Sequence, residues 1–300
     1  MDKRTNYVLQ AFQEGRTIVY GHRGSRAYAP MNTIPAFELA IQQGADGIEL
    51  DVQLSADREL VIIHDFTVDG TTDGTGAVRD LLFAELRELN AAARFSPMAE
   101  PLQGHIPHYP FIMIPTLEEV FSLVKDRAPA DFIVNVEIKA PYCTASGGFA
   151  SGGFASGDAA SGDAADDNGI EALVAACIDR YDMARNVIVS SFNPPTLKRF
   201  KAIKPSIPVG FLVEEASPSY TTTLINQYLP DIAGKSGHEA WHPRYSMVNP
   251  ELVATERNHG RLTQAWTVNE PQLARDLVSW GVTGIITDMP DRIKTALSGN

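Results

Sequence analysis

Two carboxylates, Glu49 and Asp51, stand two residues apart in the stretch GIELDVQLS, with His22 upstream and His64 downstream. Ile48, Leu50 and Val52 alternate with them, so the run reads as a β-strand, on which residues i and i+2 face the same side. Packing alone gives no reason to align two charges on one face of an apolar strand. A carboxylate pair of this kind attracts a hard divalent cation, and imidazoles nearby can move protons at neutral pH. The chemistry these residues suggest is metal-assisted hydrolysis.

Further groups fit the same scheme. Glu137 and Lys139 end a second strand-like run, DFIVNVEIK, again two apart and so on one face. Glu49, Asp51 and Glu137 together make a partial ligand shell suited to Mg²⁺ or Ca²⁺, with oxygens of water and substrate completing it. Zinc fits less well, because thiol ligands are missing and the histidines are needed elsewhere. The competing reading is that these acids pair with lysines and arginines inside the fold. His22 and His64 suit a general base and a general acid. Arg23 and Lys139 suit a phosphate, Arg through its planar fork and Lys as a point charge, the alternative being structural ion pairs with Glu49 or Glu137. Trp266 is expected to form an apolar wall for the organic part of a substrate or, equally, to pack in the interior. Asp65 is expected to orient the loop that carries His64. The other histidines (His105, His108, His238, His242 and His259) have no comparable placement and are expected on the surface or in loops.

The elements that must position these groups alternate along the chain. TIVYGH (17–22), GIELDVQL (47–54), DFIVNVEIK (131–139), NVIVSSF (186–192), IPVGFLV (207–213), RYSMV (244–248), LTQAWTV (262–268) and VTGIITD (282–288) read as strands. LVIIHD (60–65) reads as a hairpin return after the second of them. A helix is expected from Thr33 with Pro35 near its start and Gly44 after its end, and another in PTLEEVFSLVKD, opened by Thr116 with Glu118 and Glu119 in its first turn. Helix-like PPTLKRFKAI and PQLARDLVSWG fall between later strands. Eight strands alternating with helices predict an α/β fold, a (β/α)8 TIM barrel, with a doubly wound open sheet as the competitor. In a barrel, catalytic groups gather at the C-terminal ends of strands, which is where His22, Glu49, Asp51, His64, Glu137 and Lys139 fall.

The chain reads as a single barrel domain over residues 1–300, with a small loop-rich insertion at 66–114. A Gly/Ser/Ala-rich loop at 146–168 contains the pentapeptides SGGFA, SGGFA, SGDAA and SGDAA. Such repeats bury too little apolar surface to offset the entropy of ordering, so a flexible loop is expected there. A net charge of −12 over 300 residues argues against nucleic acid as a partner, since phosphate-backbone binding needs basic surface. It leaves room for a small phosphorylated ligand beside a cation. The opening MDKRTNYVLQAFQEG lacks a signal-peptide core, no run approaches a membrane span, and Cys143 and Cys177 suggest no disulfide framework. A cytoplasmic location is the expectation.

The motifs GHRG, NTIPAF, ELDVQLS, LVIIHD, TTDGTG, IPTLEEV, VEIK, VSSF, AWTVN and IITDMPD follow one another from about Ile18 to Arg292. In that order the chain closely resembles the glycerophosphodiester phosphodiesterases. The resemblance implies a (β/α)8 barrel that uses a divalent cation to hydrolyse glycerophosphodiesters to glycerol 3-phosphate and an alcohol. It also implies metal ligation by Glu49, Asp51 and Glu137, acid/base work by His22 and His64, and phosphate contacts from Arg23 and Lys139. Two alternatives are a phospholipase D-like enzyme of the same barrel acting on lysophospholipids and a non-catalytic phosphoester-binding barrel. One departure stands out. The family usually carries Pro-Glu-Asn-Thr after the first motif, whereas Pro30 is here followed by Met31. The missing carboxylate is expected to have braced the metal-site loop by hydrogen bonding.

Overall fold

The computed structural model describes residues 5–139, 169–214 and 240–299, and places only the strands at 142–143 and 149–150 in between. Eight parallel strands close on themselves: β1 (Ile18–His22), β2 (Gly47–Leu54), β4 (Ile133–Ile138), β7 (Val187–Ser191), β8 (Val209–Val213), β9 (Ala240–Pro243), β10 (Leu262–Ala265) and β11 (Gly284–Thr287). Pairing of β1 with both β2 and β11 closes the ring. The short β3 (Leu60–Ile62) runs antiparallel on β2, the expected hairpin return. Two further short strands, β5 (Tyr142–Cys143) and β6 (Phe149–Ala150), pair with each other. The architecture is the (β/α)8 barrel, and the open-sheet alternative is excluded.

Every residue of each barrel strand is buried, as expected where helices cover the outside and side chains fill the inside. On the outer side, Ile48, Leu50, Val134, Val136, Val189 and Trp241 belong to the main core with Phe121 and Phe200 of the helix layer. On the inner side, Ile18, Ile133, Ile188, Ala240 and Leu262 cluster with Val8 and Ala11 of α1 (Tyr7–Gln13), which packs on the strand-start end of the barrel. Fully burying one such side chain stabilises the fold by about 1.5–3 kcal/mol, so this double layer dominates the energetics.

Local signals explain the helices. α2 (Ile34–Gln42) begins after Thr33, whose hydroxyl accepts from the Ala36 amide at 3.4 Å, with Pro35 in the first turn, where its missing N–H costs nothing. The 66–114 segment holds the five-residue α3 (Phe83–Arg87) and a 3₁₀ turn at Val78–Asp80, around a small core of Val61, Val68, Val78, Leu86 and Ile114. α4 (Leu117–Arg127) opens with a full capping box between Thr116 and Glu119. α5 (Ile170–Arg180), α6 (Pro194–Ile203), α7 (Pro250–Asn258), α8 (Pro271–Trp280) and α9 (Pro290–Leu297) complete the described helices.

One strand lies elsewhere than the sequence suggested. RYSMV was expected to be the sixth barrel strand, but Tyr245–Met247 form a 3₁₀ turn and the strand is Ala240–Pro243. Trp241 packs outward into the main core, and His242 is fully buried on the alternate face. A four-residue strand holding histidine and proline lacks the β-branched look of its neighbours, while Tyr, Met and Val made the following turn look extended. His242 is therefore an interior residue, not a surface one. The pentapeptide run, apart from the placement of β6, lies outside the described residues, as does the side chain of Cys143. Cys177 is a buried free thiol.

Candidate active site

Strand register assembles the site. His22 of β1 lies opposite Glu49 of β2, and Asp51 of β2 lies opposite Glu137 of β4. These side chains all face the interior, His22 and Glu137 near the C-terminal ends of β1 and β4, and Glu49 and Asp51 along β2. Carboxylate oxygens of Glu49, Asp51 and Glu137 lie within 4.8 Å of one another, and all three residues are buried. Burial, together with the negative charges of Asp51 and Glu137, drives the Glu49 carboxyl well above the usual range. Burial, then Asp51, also raises Glu137, against the opposing pull of Lys139. Burial would raise Asp51 too, but His64, Arg23, Lys139 and a hydrogen bond from Asn32 hold it below its usual range. Three crowded acids under such tension fit a divalent cation, which would relieve the repulsion they bear without it. Asp51 Oδ1 supports that fit, since it is buried and accepts no hydrogen bond.

Both cations of the site touch these acids. Lys139 Nζ donates to Glu137 Oε1 at 2.8 Å and lies 3.5 Å from Asp51 Oδ1. Burial opposes its charge, but Glu137 and Asp51 outweigh burial and keep the amine protonated. Arg23 donates its backbone N–H to Glu49 Oε2 at 3.0 Å, and its Nε lies 3.3 Å from Asp51 Oδ2. Lys139 thus pairs with Glu137, one of the ion pairs weighed as the alternative, whereas the Arg23 side chain pairs with Asp51 rather than with Glu49 or Glu137. Arg23 reaches this position through a left-handed backbone, φ +53°. The next residue, Gly24 at φ +79°, abuts α2 so closely that a Cβ would lie 2.5 Å from the Ala36 carbonyl carbon. That contact explains the second glycine of GHRG.

Each histidine is held by a carboxylate. His22 Nδ1 lies 2.7 Å from Asp288 Oδ1 just after β11, and Asn269 Nδ2 donates to the other Asp288 oxygen at 2.8 Å. Burial and the Arg23 charge depress the His22 imidazole to about 4, against the pull of Asp288. The ring is therefore neutral at physiological pH, and with Nδ1–H donated to Asp288 its Nε2 is the basic atom. Burial opposes ionisation of Asp288, but the hydrogen bond with His22, together with Arg26 and Asn269, holds it at about 2. His64 Nδ1 lies 2.6 Å from Asp65 Oδ1, so Asp65 holds the ring itself, whereas the sequence suggested a role in the loop. The loop beneath is pinned by Gln53, whose Nε2 donates to the carbonyls of Ile63, His64 and Asp65.

A cavity of about 280 Å³ brings most of the residues together. His22, Arg23, Glu49, His64, Glu137 and Lys139 line one side, and Phe66, Phe192, Leu212 and Trp266 supply apolar surface. Trp266 meets Phe192 edge to face at 5.7 Å and donates Nε1–H to the His242 carbonyl at 2.8 Å, so it both walls the cavity and packs against the barrel. Asp51 lies just beneath, fully buried.

Met31 does not leave the loop unbraced. Asn32, at φ +58°, donates Nδ2 to Asp51 Oδ2 at 2.8 Å and accepts from the Asp51 amide at 3.3 Å. Arg23 Nη1 meets Met31 Sδ at 3.3 Å, a weak acceptor in place of a carboxylate. Asn32, Gln53, Asn269 and Asp288 were not singled out from the sequence. Asp288 carried a legible signal, an acid ending a strand in IITDMPD, whereas the side-chain-to-backbone bonds of Gln53 leave no pattern in sequence.

Comparison with known proteins places the chain in a family. The chain matches the glycerophosphoryl diester phosphodiesterase family over residues 22–292. It is 35% identical over 278 residues to the glycerophosphodiester phosphodiesterase of Caldanaerobacter subterraneus subsp. tengcongensis, covering 93% of this chain and 96% of that protein. A glycerophosphodiester phosphodiesterase of Bacillus altitudinis is 31% identical, covering 92% and 96%. Among solved structures, a putative glycerophosphoryl diester phosphodiesterase from Silicibacter pomeroyi superposes with a TM-score of 0.69 at 25% identity, covering 94% and 93%. The chain belongs to the glycerophosphoryl diester phosphodiesterase family and is a phosphoric diester hydrolase.

Proposed function

We propose that the protein hydrolyses glycerophosphodiesters to glycerol 3-phosphate and an alcohol, with a divalent cation held by Glu49, Asp51 and Glu137 and proton transfer by His22 and His64. The observation that carries this reading is the pairing of three clustered buried carboxylates with two histidines, each oriented by its own aspartate. Such a cation, Mg²⁺ or Ca²⁺ by the all-oxygen donor set, supplies Lewis-acid activation of a phosphoryl oxygen.

The remaining work falls to the chain. Lys139 has three N–H bonds and spends one on Glu137, so it retains donors for a phosphate in the cavity. Arg23 brings a second fixed positive charge, and preorganised charge of this kind is commonly the largest catalytic term. His22, neutral and with Nδ1–H donated to Asp288, accepts the nucleophile's proton at Nε2, and the adjacent carboxylate stabilises the imidazolium that forms. His64, anchored through Nδ1, donates from Nε2 to the departing alkoxide. The nucleophile is water or the substrate's own 2-hydroxyl, and the second route gives a cyclic phosphate visible by phosphorus NMR. Among the described residues no helix is long and apolar enough to cross a membrane.

The acid assignment has a direct test. His64→Ala should lower turnover of glycerophosphocholine by about 10²–10⁴-fold and turnover of a 4-nitrophenyl ester much less, since nitrophenolate leaves unaided. Equal losses on both substrates would remove His64 from that role.

A further inference from the structure

Asn135 is fully buried on β4, two residues before Glu137, and lines the same cavity. Its Oδ1 accepts from the Ser190 hydroxyl at 2.8 Å, and Ser190, also fully buried, lines the cavity too. The other end of the amide, Nδ2, is buried with no hydrogen-bond partner. Ser190 fixes the amide's orientation, so that N–H₂ is a committed donor rather than a rotating one. A buried donor left unpaired is costly, and native interiors seldom retain one without use.

We propose that Asn135 is a specificity residue that donates to the terminal hydroxyl of the substrate's glyceryl group, with Ser190 as its positioning partner. The inference rests on the glycerophosphodiester reading above and deepens it. Two residues along a strand keep a side chain on the same face and move it roughly 6–7 Å, here toward the strand-start end of the barrel. A phosphate held by Lys139 at the level of Glu137 and Asp51 has Asn135, opposite Glu49 in register, one step below it on β4, at about the reach of a three-carbon chain. The leaving alcohol differs among glycerophosphodiesters, whereas the glyceryl group is common to all of them. The enclosed floor suits the constant part, and the open side suits the variable one. Glu49, opposite Asn135 in register, accepts from the Arg23 amide, while Leu212 and Ile286, which also line the cavity, offer no hydrogen bond.

The test compares glycerophosphocholine with 2-hydroxypropyl phosphocholine, which lacks only the terminal hydroxyl and keeps both the 2-hydroxyl and the leaving group. The wild-type protein should lose roughly 10²-fold or more in kcat/KM on the analogue, because the buried donor is then left unpaired. Asn135→Leu combined with Ser190→Ala, which removes the whole polar pair, should narrow the two substrates to within about 5-fold. The milder Asn135→Ala is made alongside, and circular dichroism checks the fold of both. A thermal-shift comparison of glycerol 3-phosphate with 2-hydroxypropyl phosphate reads the same preference without turnover. Equal wild-type rates on the two diesters would overturn the inference while leaving the hydrolase reading intact. Undiminished discrimination by the folded variants would overturn it as well, placing recognition of the hydroxyl elsewhere. Absence of any turnover by the metal-loaded wild-type protein would bring down the hydrolase reading itself, and this inference with it.

Discussion

Asp288→Asn removes one charge and keeps the shape of the group that holds His22. The two Asp288 oxygens both accept, one from His22 Nδ1–H at 2.7 Å and one from Asn269 Nδ2 at 2.8 Å. An asparagine has one carbonyl oxygen, so it satisfies only one of these donors. If its amide faces His22, the ring is pushed into the other tautomer, with Nε2 protonated and no longer basic. If its oxygen faces His22, two NH₂ groups meet at Asn269 and the imidazolium loses its counter-charge. A unit charge about 4 Å away at an effective dielectric near 20 is worth about 4 kcal/mol, and a hydrogen bond to a charged group about 1.5–3 kcal/mol. These figures overlap and do not add, so the expected loss is about 10²–10³-fold in kcat with KM nearly unchanged. Steady-state hydrolysis of glycerophosphocholine at saturating metal measures it, with a thermal melt to confirm the fold. A kcat within about 3-fold of wild type would refute the assignment of Asp288 as the group that orients His22.

Two other outcomes follow from the interior. His242 is buried neutral, its imidazole pushed by burial alone down to about 3, so the unfolded chain binds its proton first as pH falls. The stability this contributes is complete above about pH 6.5 and declines as pH drops toward 3; between pH 7 and 4.5 the loss is about 2–3 kcal/mol. Urea unfolding at the two pH values should show that loss in wild type and a shallower one in His242→Leu, and equal slopes would show that His242 is not buried. Gly210→Ala should destabilise by about 1–3 kcal/mol, because the new Cβ would stand 2.4 Å from the His242 ring, and a change under about 0.5 kcal/mol would contradict that packing.

What the sequence disclosed, and what it withheld, follows from the range of each interaction. Glu49, Asp51, Glu137 and Lys139 were legible because period-two alternation fixes which strand residues share a face, and acids on such a face among Ile and Val are conspicuous. Seven of the barrel strands were recognisable for the same reason. The strand at Ala240–Pro243 was not, because the His242 ring fits there only over the bare Cα of Gly210 on the neighbouring strand, a complementarity that arises between strands and leaves no local pattern. The His22–Asp288 bond spans 266 residues of sequence and exists only once β1 closes on β11. Local periodicity says that a barrel forms; the register across its seam determines which acid meets which histidine.

On the proposed reading, Glu49, Asp51 and Glu137 hold the cation on which hydrolysis depends. The most direct measurement strips the protein with chelator, then titrates Mg²⁺ or Ca²⁺ while following glycerol 3-phosphate release from glycerophosphocholine, for wild type and Glu49→Gln. Release should be absent in chelator and recover saturably with metal in wild type, and in the variant it should recover only at much higher metal or not at all. Undiminished release in chelator, or identical metal titrations for the two proteins, would contradict that reading.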